Sequence, residues 1–389
     1  MQLEDLETPA LLLDRARMDR NIARIRARMA SLGVSFRPHL KTGKSIDVTR
    51  RLFDRTPRNA DSRTGQAGNT NAGPVTVSTL KEADYFFSHG ISDILYAVGI
   101  SHNKLNHVAK LRACGCDLKI ILDNLDAANI VADFTRQRGH PIPTLIEIDS
   151  DGHRAGVPPE SDGLIAIGRS LGPSLAGVMT HAGDSYNCTS IEAIRAIAEQ
   201  ERALTVRAAE RLRADGLPCP IVSVGSTPTA TYAEKLDGVT EVRAGVFVFF
   251  DLVMAGIDVC KVDDIALSVL TTVIGHQRDK GWVITDAGWM AMSRYRGTAK
   301  QKIDQGYGMV CDEAGSPIHG LIMSEANQEH GIVSHRSGIA ADTPLLPVGT
   351  RLRILPNHAC ATGAQHPRYH VVSGQAPFVE ALWERFSGW

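Results

Sequence analysis

From residue 9 onward, short apolar runs alternate with longer stretches whose apolar positions recur at helical spacing. The run Pro9-Ala10-Leu11-Leu12-Leu13-Asp14 predicts a strand, and 15–32 sets Met18, Ile22, Ile25 and Met29 on one face of a helix that Gly33 ends. A second strand is expected over 34–38, which leaves Lys41 just past its carboxyl end. The same pairing of strand and helix follows at 75–78 with 80–89, 93–98 with 103–114, 118–122 with 125–139, 143–149 with 161–171, and 175–181 with 190–216. Strands at 221–224 and 241–243 complete the series. Alternating strands and helices demand a parallel sheet, and about eight such units fit a closed barrel better than an open sheet.

After Asp251 the rhythm changes. Runs at 266–274, 282–285, 331–333, 352–355 and 370–372 read as strands joined by turns, with no long helix between them, and 380–386 is placed to cover the last of them. The fold class expected is therefore α/β: an N-terminal (β/α)8 barrel over 10–255 and a β-rich domain formed by 1–9 and 256–389. The stretch 56–73, rich in Gly and Asn and poor in apolar residues, is expected to be an exposed insertion.

The chain has 389 residues, long enough for about two domains. A net charge of −1 gives no electrostatic reason to expect nucleic acid or an acidic membrane as partner, so a small molecule is the expected ligand. No apolar stretch approaches the roughly 20 residues that span a bilayer. The start Met1-Gln2-Leu3-Glu4-Asp5 is acidic where a secretory leader is basic, and seven scattered cysteines, an odd number, argue against a disulfide framework. A cytoplasmic protein is expected.

Three segments carry candidate chemistry. Lys41, in Arg37-Pro38-His39-Leu40-Lys41-Thr42, follows an early barrel strand and so faces the end where barrel enzymes place their sites. A partly desolvated lysine there loses its proton more easily and can form an imine. The loop Val224-Gly225-Ser226-Thr227-Pro228-Thr229 offers backbone N–H groups and hydroxyls at a strand-to-helix junction, which suits a phosphate, although the same residues are ordinary turn chemistry. Together the lysine and the late loop describe a pyridoxal phosphate site. Near the other end, Pro356-Asn357-His358-Ala359-Cys360 sets an imidazole and a thiol two residues apart; on a strand such residues share a face and can grip one metal ion, or Cys360 is a buried thiol.

On these segments, with Asp149-Ser150-Asp151-Gly152-His153-Arg154-Ala155-Gly156, Thr180-His181-Ala182-Gly183, Asp286-Ala287-Gly288 and Asn327-Gln328-Glu329-His330-Gly331, the chain resembles the fold-type III pyridoxal phosphate enzymes. Within them it is similar to the metal-dependent group of D-serine dehydratases, D-threo-3-hydroxyaspartate dehydratases and D-threonine aldolases, each an alanine-racemase-like barrel followed by a β-domain. The resemblance implies that Lys41 carries the cofactor as an imine, that Arg154 contacts its phenolic oxygen, and that Gly225, Ser226 and Thr227 hold its phosphate. His181 would line the pocket or be a packed structural residue, and Tyr186 is a candidate for the pyridine side. His358 and Cys360 match the ligands of a divalent metal, with zinc suggested by the thiolate and manganese or cobalt as alternatives.

The resemblance further implies a lyase that eliminates water and then ammonia from small D-3-hydroxy amino acids, with a homodimer as its assembly. D-threo-3-hydroxyaspartate would give oxaloacetate, and D-serine pyruvate. The alternative is an aldolase of the D-threonine type, which yields glycine and an aldehyde. The dehydratases carry His-x-Cys whereas the aldolases carry a carboxylate at the position of Cys360, and Gly43 stands where the aldolases place a histidine. The first feature favours the dehydratases; the second weakens the aldolase reading and, because D-serine dehydratases often have that histidine too, makes the D-threo-3-hydroxyaspartate dehydratase branch the nearest resemblance.

Overall fold

The computed structural model describes residues 1–53, 73–374 and 376–389. The expected insertion at 56–73 lies outside the described residues except for Gly73. Two compact units divide the chain: Ile25–Lys41 with Val48–Gly245 and Gly388–Trp389 form one, and Met1–Arg24 with Thr42–Asp47 and Val246–Ser387 form the other.

In the first unit eight parallel strands run in the order Ser35–Phe36, Glu241–Val242, Ile221–Val224, Leu175–Met179, Thr144–Glu147, Asp117–Leu122, Asp93–Gly99, Val75–Val77. A parallel bridge between His39 and Thr76 joins the two ends of this series and closes it into the expected barrel. The bridge is built by Thr76 N–H donating to the Pro38 carbonyl and Leu40 N–H donating to the Thr76 carbonyl, both at 2.9 Å. Side chains from four adjacent strands, Leu95, Ile121, Leu145 and Met179, form one layer of its interior. At the amino ends of strands, buried Arg37 donates to Glu241 and Asp93 at 2.8 Å each, and Lys119 adds a 3.0 Å contact to Asp93. These charges brace the barrel at the end away from Lys41.

The crossover helices Leu80–Ser88, Leu125–Arg138, Asp162–Leu171 and Ile191–Ala214 start where the sequence supplies Thr79, Asn124, Ser161 and Ser190, each accepting a backbone N–H of the first turn. Such caps satisfy donors the helix itself leaves unpaired.

The second unit holds nine strands in the order Trp282–Thr285, Gly331–His335, Pro317–Ala326, Gly308–Cys311, Arg351–Pro356, Leu267–Gln277, Ala10–Asp14, Arg368–Val372, Ala381–Glu384. Trp282–Thr285 also pairs with Leu267–Gln277, which closes six of them into an antiparallel barrel.

Ala10–Asp14 corrects the sequence reading. It was expected to open the (β/α)8 barrel, yet it pairs antiparallel with Leu267–Gln277 and parallel with Arg368–Val372. All five of its residues are buried, and Ala10 and Leu12 pack with Leu3, Leu6, Leu270 and Val372. A strand covered on both faces reads as a continuous apolar run whichever sheet receives it. The first barrel strand is Ser35–Phe36.

Candidate active site

The predicted residues of the first unit gather at the carboxyl ends of its strands. Lys41 follows the His39–Thr76 bridge by two residues and is exposed rather than desolvated, because the chain has already left the barrel wall. His39 is half-buried; its Nδ1 accepts weakly from Lys41 N–H and its Nε2 lies 3.4 Å from Ser78 Oγ. Burial, then the charges of Lys41 and Arg243, push its pKa well below the ordinary histidine value. His181 behaves likewise: burial, then Lys41 and Arg154, lower its pKa to about 3. Both imidazoles are therefore neutral. The Nδ1 of His181 donates to the Gly225 carbonyl at 3.1 Å, which leaves Nε2 as an acceptor. The Tyr186 ring lies 6.0 Å from the His181 ring, centroid to centroid.

Gly225, Ser226 and Thr227 form the turn from Ile221–Val224 into the short helix Thr227–Tyr232. Gly225 has φ of +132°, and a side chain there would meet the Arg243 carbonyl at 2.1 Å, so the position requires glycine. Ser226 caps the helix and its hydroxyl lies 2.9 Å from Ser185 Oγ, joining this turn to the loop that carries Tyr186. Buried Glu201, on Ile191–Ala214, accepts from Ala182 N–H at 3.1 Å and Gly225 N–H at 2.9 Å. It ties the loops after two strands together. Arg154 reaches the buried carboxylate of Glu147 at 3.5 Å.

The Lys41 amine, the Arg154 and buried Arg243 guanidinium groups, two neutral imidazoles and a hydroxyl-bearing turn thus share one end of the barrel. That donor set fits pyridoxal phosphate: an amine for its aldehyde, a cation for its phenolic oxygen, and the hydroxyls of the turn for its phosphate, the Gly225 and Ser226 N–H groups being given to Glu201 and Thr229.

The second unit holds His358 and Cys360. The sequence reading placed them on a strand; instead Arg351–Pro356 ends first, His358 is extended and caps the helix Ala359–Gly363, and Cys360 is its second residue. Their side chains still interact, the thiol being the first of the groups that raise the pKa of the imidazole. The cause lies in Asp251, which is fully buried. Its Oδ2 accepts from His358 Nδ1 and from Ala359 N–H, each at 3.0 Å, while Oδ1 accepts from Met254 N–H and caps Leu252–Gly256. One carboxylate thus sets the imidazole and starts two helices. Burial works against charge on His358, but Cys360 and then Asp251 outweigh it and raise its pKa to about 11. Thr42 Oγ1, from the residue after Lys41, lies 3.2 Å from Cys360 Sγ. The Tyr295 ring stacks obliquely 5.0 Å from His358, and buried Asn357 holds that loop by donating to the Tyr295 and Gly306 carbonyls.

Among the described residues no group of three or more His, Cys, Asp and Glu side chains gathers around one point, so this clip offers an ion two protein ligands. An imidazole whose other nitrogen donates to a carboxylate, beside a thiol, is the donor set of a soft divalent metal. Sequence reasoning missed Asp251, Glu147, Glu201 and His39. Asp251, Glu147 and His39 carried only the signal of an acid or imidazole at a strand end or a helix cap, Glu201 in mid-helix carried none, and nothing in one sequence shows which of these positions meet.

Comparison with known proteins agrees with both halves of the fold. Residues 13–253 match the model of the alanine racemase N-terminal domain, and 266–372 that of a putative serine dehydratase domain. The chain is 55% identical to D-threo-3-hydroxyaspartate dehydratase from Delftia sp. strain HT23, over 99% of this chain and 98% of that one. It is 27% identical to D-serine dehydratase from Dictyostelium discoideum, over 98% and 97%. The solved structure of the Delftia dehydratase superposes with a TM-score of 0.92 at 53% identity, covering 100% of each chain. A cysteine-to-alanine variant of a D-threo-3-hydroxyaspartate dehydratase, solved in a metal-free form, superposes equally well, with a TM-score of 0.92 at 52% identity.

Proposed function

The chain belongs to the family that joins an alanine-racemase-like barrel to a serine dehydratase domain, and from that premise we propose a pyridoxal phosphate- and metal-dependent dehydratase of D-3-hydroxy amino acids. D-threo-3-hydroxyaspartate is its proposed substrate, with D-serine a secondary one. The observation that carries this reading is the His358–Cys360 clip with Asp251 behind the imidazole. It has the thiol expected of the dehydratases, where the aldolases carry a carboxylate.

Bound pyridoxal phosphate supplies a sink for negative charge at Cα, and a bound divalent ion supplies a Lewis acid for the β-hydroxyl. The residues supply the rest. Lys41 would hold the cofactor and, once released, its amine takes the Cα proton. Arg154 would face the phenolic oxygen, Gly225, Ser226 and Thr227 the phosphate, and Tyr186 the pyridine side. Neutral His181 offers an acceptor and no second cation to the pocket. His358 and Cys360 would hold the metal, zinc in the first instance and manganese or cobalt otherwise, and two protein ligands leave room for the substrate hydroxyl. Loss of the Cα proton and the β-hydroxyl gives an enamine, which tautomerises and hydrolyses to a 2-oxo acid and ammonia; the water lost is regained.

The seven free cysteines support a reducing, cytoplasmic setting, and no helix among the described residues is long and apolar enough to cross a membrane. A homodimer remains the proposed assembly. The test is product analysis with D-threo-3-hydroxyaspartate, D-serine and D-threonine in separate reactions of the metal-loaded holoenzyme. Ammonia with a 2-oxo acid supports the dehydratase, and the order of rates ranks its substrates. Glycine with an aldehyde overturns it in favour of the aldolase.

A further inference from the structure

Glu147 ends the strand Thr144–Glu147 and is 6% exposed, yet it carries a carboxylate. Burial raises its pKa, and Arg154 followed by Arg243 works against that rise, with Asp123 the next acid nearby. A buried carboxylate is costly unless a cation stays beside it. The guanidinium of Arg154 is that cation: its Nη2 lies 3.5 Å from Glu147 Oε1, although the arginine side chain is itself half-exposed.

The backbone of Glu147 serves the same loop. Its carbonyl accepts Val157 N–H at 2.9 Å, and the Val157 carbonyl accepts Asp149 N–H at 3.0 Å, which pins the return of the 149–157 loop to the strand end. Asp149 Oδ1 accepts from Gly152 N–H at 2.7 Å and Asp123 Oδ2 from Gly156 N–H at 3.1 Å, fixing both shoulders of the turn that bears Arg154. Among the described residues the loop backbone is thus held at several points, whereas the long arginine side chain is held at one. That point is Glu147.

We propose that Glu147 is the positioning residue for Arg154, holding the guanidinium over the carboxyl ends of the barrel strands so that its remaining N–H groups face the cofactor's phenolic oxygen. The inference rests on the reading of Arg154 given above.

The two ideas separate in one experiment: pH titration of the visible absorption band of the holoenzyme, for wild type, Arg154→Ala, Glu147→Ala, Glu147→Gln and the Arg154→Ala/Glu147→Ala double variant. If Glu147 acts by placing Arg154, Glu147→Ala shifts the midpoint in the same direction as Arg154→Ala, by about one pH unit. It adds nothing in the Arg154→Ala background, because the residue it acts through is gone. Glu147→Gln, which keeps the shape and one acceptor, shifts it less in that same direction and serves alone if the alanine variant does not fold. A shift in the opposite direction would show Glu147 to be only a nearby negative charge, and an unchanged midpoint in Glu147→Ala, or a double variant shifted beyond Arg154→Ala by the full Glu147→Ala amount, would equally overturn the proposal. An unshifted midpoint in Arg154→Ala alone would instead overturn the reading of Arg154, and the positioning role with it.

Discussion

Replacing Asp251 by asparagine probes the metal clip without touching either proposed ligand. Asp251 presents one oxygen to Met254 N–H and the other to two donors, His358 Nδ1 and Ala359 N–H, at 3.0 Å each. An asparagine can keep its oxygen on only one side. With the oxygen toward Met254 the helix cap survives, but an NH2 group faces two N–H donors. Losing charge-assisted bonds of this kind costs about 1.5–3 kcal/mol, which should lower the melting temperature of the metal-free protein. With the imidazole no longer oriented, metal affinity should fall about 10- to 100-fold, or about 1.4–2.8 kcal/mol at 1.4 kcal/mol per decade. An opposing effect exists: removing the Asp251 charge lowers the His358 pKa and so eases displacement of its proton by metal. Cys360, a larger contributor to that raised pKa than Asp251, is untouched, so the loss of orientation wins. Chelator-competition titration of zinc measures the dissociation constant, and circular dichroism controls for folding. Wild-type affinity in a folded Asp251→Asn protein would refute the orienting role.

Lys41→Ala should abolish both the visible cofactor band and all turnover; turnover surviving without the band would remove Lys41 from the chemistry. Gly225→Ala should cost about 2–4 kcal/mol in urea unfolding, since a side chain there meets the Arg243 carbonyl at a φ of +132°, and an unchanged midpoint would mean the turn relaxes freely. Two histidines give stability opposite pH dependences in the protein free of cofactor and metal. The His358 pKa is raised from 6.5 to about 11, so its contribution is fully present below pH 6.5 and lost as pH rises toward 11. The His181 pKa is lowered from 6.5 to about 3, so its contribution is present above pH 6.5 and lost as pH falls toward 3. His358→Gln should flatten the alkaline limb and His181→Gln the acidic limb of melting temperature against pH; limbs unchanged in the variants would refute the assignments.

The barrel was legible in the sequence because parallel strands buried on both faces leave apolar runs and their crossover helices leave a helical period. That same property misplaced Ala10–Asp14, since a doubly covered strand carries no mark of which sheet it joins. Pro317–Ala326 and Gly308–Cys311 were not read as strands: the first begins with a proline, contains Gly320 and has only the short run Leu321-Ile322-Met323 buried, and the second is four residues long. Lys41, Arg154 and the 225–227 turn were proposed from their motifs, and the structure sets them around His181 at one end of the barrel. The His-x-Cys pair was found for a reason that did not survive. The residues meet because Asp251, more than a hundred positions earlier, fixes the imidazole and the start of the helix that carries Cys360. Such long-range carboxylate contacts have no local signature.

The account assigns removal of the Cα proton to Lys41 and departure of the β-hydroxyl to the ion at His358 and Cys360, and these two steps can be observed separately. Holoenzyme in D2O, before and after chelation of its metal, would be given D-threo-3-hydroxyaspartate, with exchange of the Cα proton followed by NMR and ammonia measured in the same samples. The expected result is that chelation abolishes ammonia release while Cα exchange continues, and that added zinc or manganese restores the former. Ammonia release undiminished in metal-free enzyme, or loss of Cα exchange together with it, would contradict the division of labour between the lysine and the clip.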